Sequence, residues 1–93
     1  MVYLGETIQY RCQFKDFKQS IVQPTTHDIK VTNPGGSSIH SSSTPTYDAT
    51  KEDYYTDFTI PADGEPGNYK LVWKATKGSN NWVSKREFAV ETP

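Results

Sequence analysis

Few side chains in this sequence could do chemistry. Cys12 is the single cysteine, and His27 and His40 are the two histidines. A cysteine nucleophile needs a histidine base within hydrogen-bond reach and a third group to orient it. Cys12 stands inside "TIQYRCQF" (7–14), on the same parity as Ile8, Tyr10 and Phe14. A structural thiol is the expected role, because free cysteine is among the most buried residue types. Carboxylates form two loose groups, Asp48, Glu52, Asp53 and Asp57, and Asp63 with Glu65. Either could offer oxygens to a calcium ion. Neither has a D-x-D-x-D loop, and Asp53 and Asp57 fall on the polar parity of their segment. Solvated charges on a sheet rim are expected there. No catalytic residue, cofactor or metal is predicted.

The charge balance excludes other classes. Ten basic residues stand against eleven acidic ones, for a net charge of −1, and the basic residues never form a run. Nucleic-acid binding calls for a basic patch or stripe. No apolar stretch approaches the ~18 residues that span a bilayer. The opening "MVYLGETIQY" lacks the basic and apolar regions of a signal peptide, so synthesis without export is the expectation. A lone cysteine fits a reducing compartment.

The elements that hold these residues are strands. Ninety-three residues make one domain with a modest core, predicted over 1–93. No segment repeats apolar residues at helical spacing over three turns, and "DATKEDYY" (48–55) has room for one helical turn at most. Alternation dominates. "DIKVTNP" (28–34) sets Ile29 and Val31 against Lys30 and Thr32. "DYYTDFTI" (53–60) sets Tyr54, Thr56, Phe58 and Ile60 against Tyr55, Asp57 and Thr59. "EPGNYKLVWKA" (65–75) turns Tyr69, Leu71, Trp73 and Ala75 one way and Lys70, Val72 and Lys74 the other. "NWVSKREFAV" (81–90) closes the series with Phe88 and Val90 facing in. Turn residues separate the runs at Asn33–Gly36, Pro61–Gly67 and "KGSNN" (77–81). "SSIHSSSTPT" (37–46) is too polar for a core strand and reads as an edge strand or loop, with Pro45 against further pairing. Short half-buried strands at this spacing predict an all-β, two-sheet antiparallel sandwich of about seven strands.

"E-P-G-N-Y-K-L-V-W" resembles the immunoglobulin superfamily pattern in which an acidic residue, a glycine and a tyrosine lead into the sixth strand. The resemblance implies an immunoglobulin-like fold in which the Tyr69 hydroxyl bonds back to the backbone just upstream. Glu65 departs mildly from the commoner Asp. Leu71 stands where antibody-type domains carry a cysteine and Cys12 where its partner would stand, which implies a thiol packed against a leucine. The order "GETIQYRCQFKD" (5–16), "VQP" (22–24), "IKVTNPGG" (29–36), "PGNYKLVWKA" (66–75) and "FAV" (88–90) is similar to the small immunoglobulin-like proteins of tailed phages and prophages, and to domains of bacterial surface proteins.

On that fold the loop after the second strand and the last hairpin share one end, which would gather Phe17, Ile21, Asn80, Asn81 and Trp82 on one surface. Phe17 occupies a turn, "KDFKQSI", where a polar residue is normal. Aromatic anchors among small polar groups suit a protein contact, by self-association or by docking on a larger assembly. The alternative is that Phe17 and Trp82 lid the core. The expected function is a non-enzymatic structural module of a tailed-phage virion (head, neck or tail), found in the particle or in the host cytoplasm during assembly. The competing expectation is a bacterial cell-surface domain that binds protein, or carbohydrate through Tyr55 and Trp82. The 37–46 edge is the second choice of contact.

Overall fold

A computed structural model of the chain describes residues 2–93, and among them there is no helix. Eight strands follow one another: β1 (Val2–Tyr3), β2 (Thr7–Cys12), β3 (Thr26–Thr32), β4 (Ser38–Ser42), β5 (Thr46–Asp48), β6 (Asp53–Thr59), β7 (Gly67–Lys77) and β8 (Asn80–Glu91). The count exceeds the predicted seven by one; the two-residue β1, parallel to the end of β8 at Val90 and Glu91, and the three-residue β5 are the strands that the sequence segments do not single out. Five strands form one sheet in the order β1-β8-β7-β3-β4, and three form the other as β2-β6-β5.

Parity explains why the sheets stack. On β7, Tyr69, Leu71, Trp73 and Ala75 are buried while Lys70 and Lys74 are exposed. Ile29 and Val31 of β3 join them from the same sheet, and Phe58 with the adjoining Ile60 answer from the other. Aromatic rings stitch the two layers. Trp73 meets Phe14 at 5.8 Å and Tyr10 at 6.1 Å between centroids, and Phe58 meets Phe88 at 6.1 Å. Each large apolar side chain buried this way stabilises the fold by roughly 1.5–3 kcal/mol.

The 37–46 segment is divided between the sheets. Ser38–Ser42 forms the edge strand β4 of the large sheet, with a register shift opposite Val31 and Thr32. The chain then passes Pro45 and enters the small sheet as the three-residue β5. One stretch read as a single edge or loop thus supplies an edge to each layer.

The acidic group at 48–57 differs from the expectation at Asp53. Its carboxylate lies 2.9 Å from the Arg11 guanidinium, which also meets Asp48 at 3.1 Å. Asp53 is therefore half-buried in a small ion-pair network on the outer face of the small sheet. Asp57 is exposed, as its parity requires. The amide of Lys51, then Arg11, hold the Asp48 carboxyl below the usual carboxylate range. Among the described residues, no three His, Cys, Asp or Glu side chains are grouped so as to hold a metal ion.

Candidate protein-contact site

The segment between β2 and β3 builds one end of the sandwich. Phe14 plunges into the core, and the next seven residues form a compact loop closed by a bridge between Lys15 and Ile21. Asp16 organises it. Its Oδ1 accepts hydrogen bonds from the amides of Lys18 at 2.9 Å and Ser20 at 3.0 Å. Short polar side chains stabilise turns in this way, by satisfying backbone donors locally. Gln19 takes a left-handed φ of 67° to complete the reversal. Phe17 is carried on the tip with 89% of its surface exposed, and Ile21 is 42% exposed.

The hairpin from β7 to β8 is the second wall. Two residues connect Lys77 to Asn80, and the first, Gly78, has a φ of 60°, as glycine does at the leading position of a tight hairpin turn. Trp82 then ties the walls together. Its indole Nε1 donates to the Lys15 carbonyl at 2.9 Å, and its ring meets the Phe14 ring edge-on at 6.1 Å. Phe17, Asn80, Asn81 and Trp82 consequently line one depression of about 290 Å³, together with Lys15 and Asp16. Ile21 is across the bridge from Lys15 rather than in the depression itself.

Phe17 and Trp82 have different roles. Trp82 is half-buried and packs against the core cluster, so it is a lid. Phe17 covers nothing in the core; the ammonium of Lys18 lies 5.7 Å from its ring centroid. A third element at this end was not foreseen. The turn between β5 and β6 is fastened to the loop by Gln13, whose side-chain amide donates to the Lys51 and Glu52 carbonyls at 3.4 Å. The sequence held a partial signal for it, since Asp48 two residues before Thr50 is a turn-forming pattern. Its place beside Gln13 depends on β2 pairing with β6.

The groups with chemical potential are occupied elsewhere. His27 Nδ1 accepts a hydrogen bond from Trp73 Nε1 at 3.1 Å, and its ring lies tilted against Tyr54, 4.6 Å between centroids. Burial lowers its pKa, and with Nδ1 accepting from Trp73 the neutral ring carries its proton on Nε2. His40 lies over Phe58 at 5.6 Å and within 3.4 Å of the Thr56 hydroxyl. Cys12 is half-buried, and desolvation raises its thiol pKa while the Ser84 hydroxyl partly opposes the shift. The Ser84 hydroxyl is thus a neighbour that acts on the thiol, and Cys12 packs against the core cluster to which Leu71 belongs. Leu71 shares a cavity wall with Ile8, Tyr10 and Phe58.

The proposed sugar platforms are also engaged. The Arg11 guanidinium covers the Tyr55 ring at 4.8 Å, and the Trp82 N–H is spent on Lys15. Compared with models of known protein families, the chain matches none, and it pairs with no curated protein.

Proposed function

We propose that this chain is an immunoglobulin-like domain that acts without catalysis, docking on a larger protein assembly through the end that carries Phe17. The fold assignment draws on strand order. The sequence β8-β7-β3-β4 against β2-β6-β5 corresponds to the immunoglobulin division in which the sheet of the last two strands gains an extra edge. The Tyr69 hydroxyl, donating to the Glu65 carbonyl at 2.8 Å, supports it further.

The contact reading is carried by one observation: Phe17 is 89% exposed on a loop that Asp16 and Trp82 hold in place. Burying such a ring against a partner is worth ~1.5–3 kcal/mol, and a preorganised loop loses little entropy in doing so. Ile21 adds an apolar neighbour, and Asn80 and Asn81 add polar ones at the rim. Membership of a tailed-phage virion rests on the sequence resemblance to small phage proteins.

The test is a Phe17→Ser, Ile21→Ser double variant, expressed where particles assemble. It keeps the wild-type melting temperature within ~2 °C, because neither residue supports the core. It fails to enter particles. Incorporation at the wild-type level rejects the loop-end contact.

A further inference from the structure

A different surface has an unfilled hydrogen-bonding capacity. Strand β2 ends the small sheet, with β6 as its single neighbour among the described residues. The Ile60 amide donates to the Glu6 carbonyl at 2.9 Å, so Ile60, Phe58, Thr56 and Tyr54 turn their backbones toward β2. Ile8, Tyr10 and Cys12 answer them, since backbone direction alternates along an antiparallel pair. The amides and carbonyls of Thr7, Gln9 and Arg11 therefore point away from the sheet. None of them bonds elsewhere among the described residues.

Open edges are usually blunted by shortness, bulges, proline or charge. The other edges here are. β5 has three residues, β1 has two, and β4 is bulged opposite Val31 and Thr32 and followed by Pro45. Beyond its short pairing with β1, β8 presents Lys85, Arg86 and Glu87 in succession. β2 has no glycine, proline or register shift over its six residues, and its one charged side chain, Arg11, is already paired with Asp48 and Asp53.

We propose that β2 is a self-pairing edge, and that two copies of this chain join β2 to β2 antiparallel with Gln9 opposite Gln9 on a twofold axis. Facing residues must share a parity, and the outward groups belong to the odd-numbered residues. The Gln9-centred register sets Thr7 against Arg11, Gln9 against Gln9 and Arg11 against Thr7. It uses all three outward residues and yields about six backbone hydrogen bonds. Centring on Arg11 would set two guanidinium groups opposite each other, which like-charge repulsion disfavours. Centring on Ile8 or Tyr10 would leave an outward residue at the end of the strand unpaired.

The inner side of the same pairing is apolar. Ile8 of one copy faces Tyr10 of the other, beside a cavity of about 340 Å³ that opens between β2 and β8. Its wall includes Phe58, Leu71 and Phe88, so an added strand covers a surface that water otherwise reaches. On the outer side Arg11 is already held by Asp48 and Asp53 and needs no rearrangement. The product is a continuous six-stranded sheet with isologous symmetry. A single strand edge buries less than the ~1,200 Å² of a standard interface, so the dimer is weak, forming on the order of 10 µM to 1 mM. The inference is independent of the loop-end contact.

Sedimentation velocity across that concentration range tests it, with hydrogen exchange at both extremes. The wild-type mass rises toward twice the monomer, and the amides of Thr7, Gln9 and Arg11 slow as concentration increases. Gln9→Pro removes an outward N–H without touching the β2–β6 ladder, and Gln9→Lys sets two ammonium groups on the axis. Both remain monomeric, while Phe17→Ser still dimerises. Should the proline variant unfold, the lysine variant decides alone. A wild-type chain that stays monomeric throughout overturns the proposal. So does a Gln9→Lys chain that dimerises normally, or protection that appears on the 15–21 loop instead of on β2.

Discussion

Removing one oxygen atom probes how β7 is entered. Tyr69 is completely buried, and its hydroxyl donates to the Glu65 carbonyl four residues upstream at 2.8 Å. Tyr69→Phe deletes that bond and leaves the ring in place against Phe88, 5.9 Å away. A net hydrogen bond contributes about 0.5–1.5 kcal/mol, and more is lost when its partner is stranded in the interior. Glu65 is exposed, so its carbonyl can recover water and the cost lies near 1 kcal/mol. In a domain of this size that lowers the melting temperature by roughly 4–8 °C. Gly64 supplies the internal control. A Cβ there would meet the Tyr69 hydroxyl at 3.0 Å and the Pro61 carbonyl at 3.2 Å. Gly64→Ala should therefore cost less in the Tyr69→Phe background, with a coupling of about 0.5–1 kcal/mol. Urea or thermal melts of the four proteins measure both quantities. An unchanged midpoint for Tyr69→Phe, or additive effects in the pair, would refute the reasoning.

Three more outcomes follow from the same contacts. Trp82→Ser lowers stability by about 2–4 kcal/mol in a urea melt, because it uncovers Phe14 and frees the Lys15 carbonyl, whereas Phe17→Ser stays within ~0.5 kcal/mol. For His27, burial places the folded-state pKa below the unfolded value of 6.5. The unfolded chain then takes up the proton first, so its contribution is full above that value and is lost as pH falls toward the folded pKa. Melts between pH 7.5 and 5 record the loss, and His27→Gln, which still offers Trp73 an acceptor, removes that step. Cys12 reacts with a thiol reagent at pH 8 roughly tenfold more slowly than an unfolded control, since desolvation raises its pKa. Equal rates would contradict the half-buried placement.

Strand identity was legible where one face is buried. The β7 alternation of Tyr69, Leu71, Trp73 and Ala75 needed nothing beyond period two, and the same holds for Ile29 with Val31 and for Phe58 with Ile60. The short strands were not legible. Thr46–Asp48 has no apolar pattern of its own and exists because β6 offers it a ladder. β1 exists because β8 runs past it. The candidate site was legible as a gathering of two loops, yet the distinction between Phe17 and Trp82 was not. Phe17 is a loop residue with no parity to read, and Trp82, though it falls in β8 on the parity of Phe88 and Val90, abuts the hairpin turn; its hydrogen bond to the Lys15 carbonyl is what the sequence does not display. Arg11 and Asp53 were visible as charges on outward positions. Their meeting depends on the β2–β6 register, which a linear sequence does not display.

The parallel pairing of β1 with β8 also bears on mechanical load. Val2 lies beside Val90 and Tyr3 beside Glu91, and the Leu4 amide adds a bond to the Glu91 carbonyl at 3.0 Å. Tension across the domain enters at β1 and leaves at β8 in opposite directions along neighbouring parallel strands. These bonds are then loaded together, in shear, instead of being peeled one at a time. The clasp is short, so it resists as a unit and gives way as a unit. Once it slips, the force passes to the long β7–β8 ladder, whose antiparallel strands are joined at the Gly78 turn. A pulled domain would therefore lengthen first by the few residues before Thr7, and hold its core while doing so.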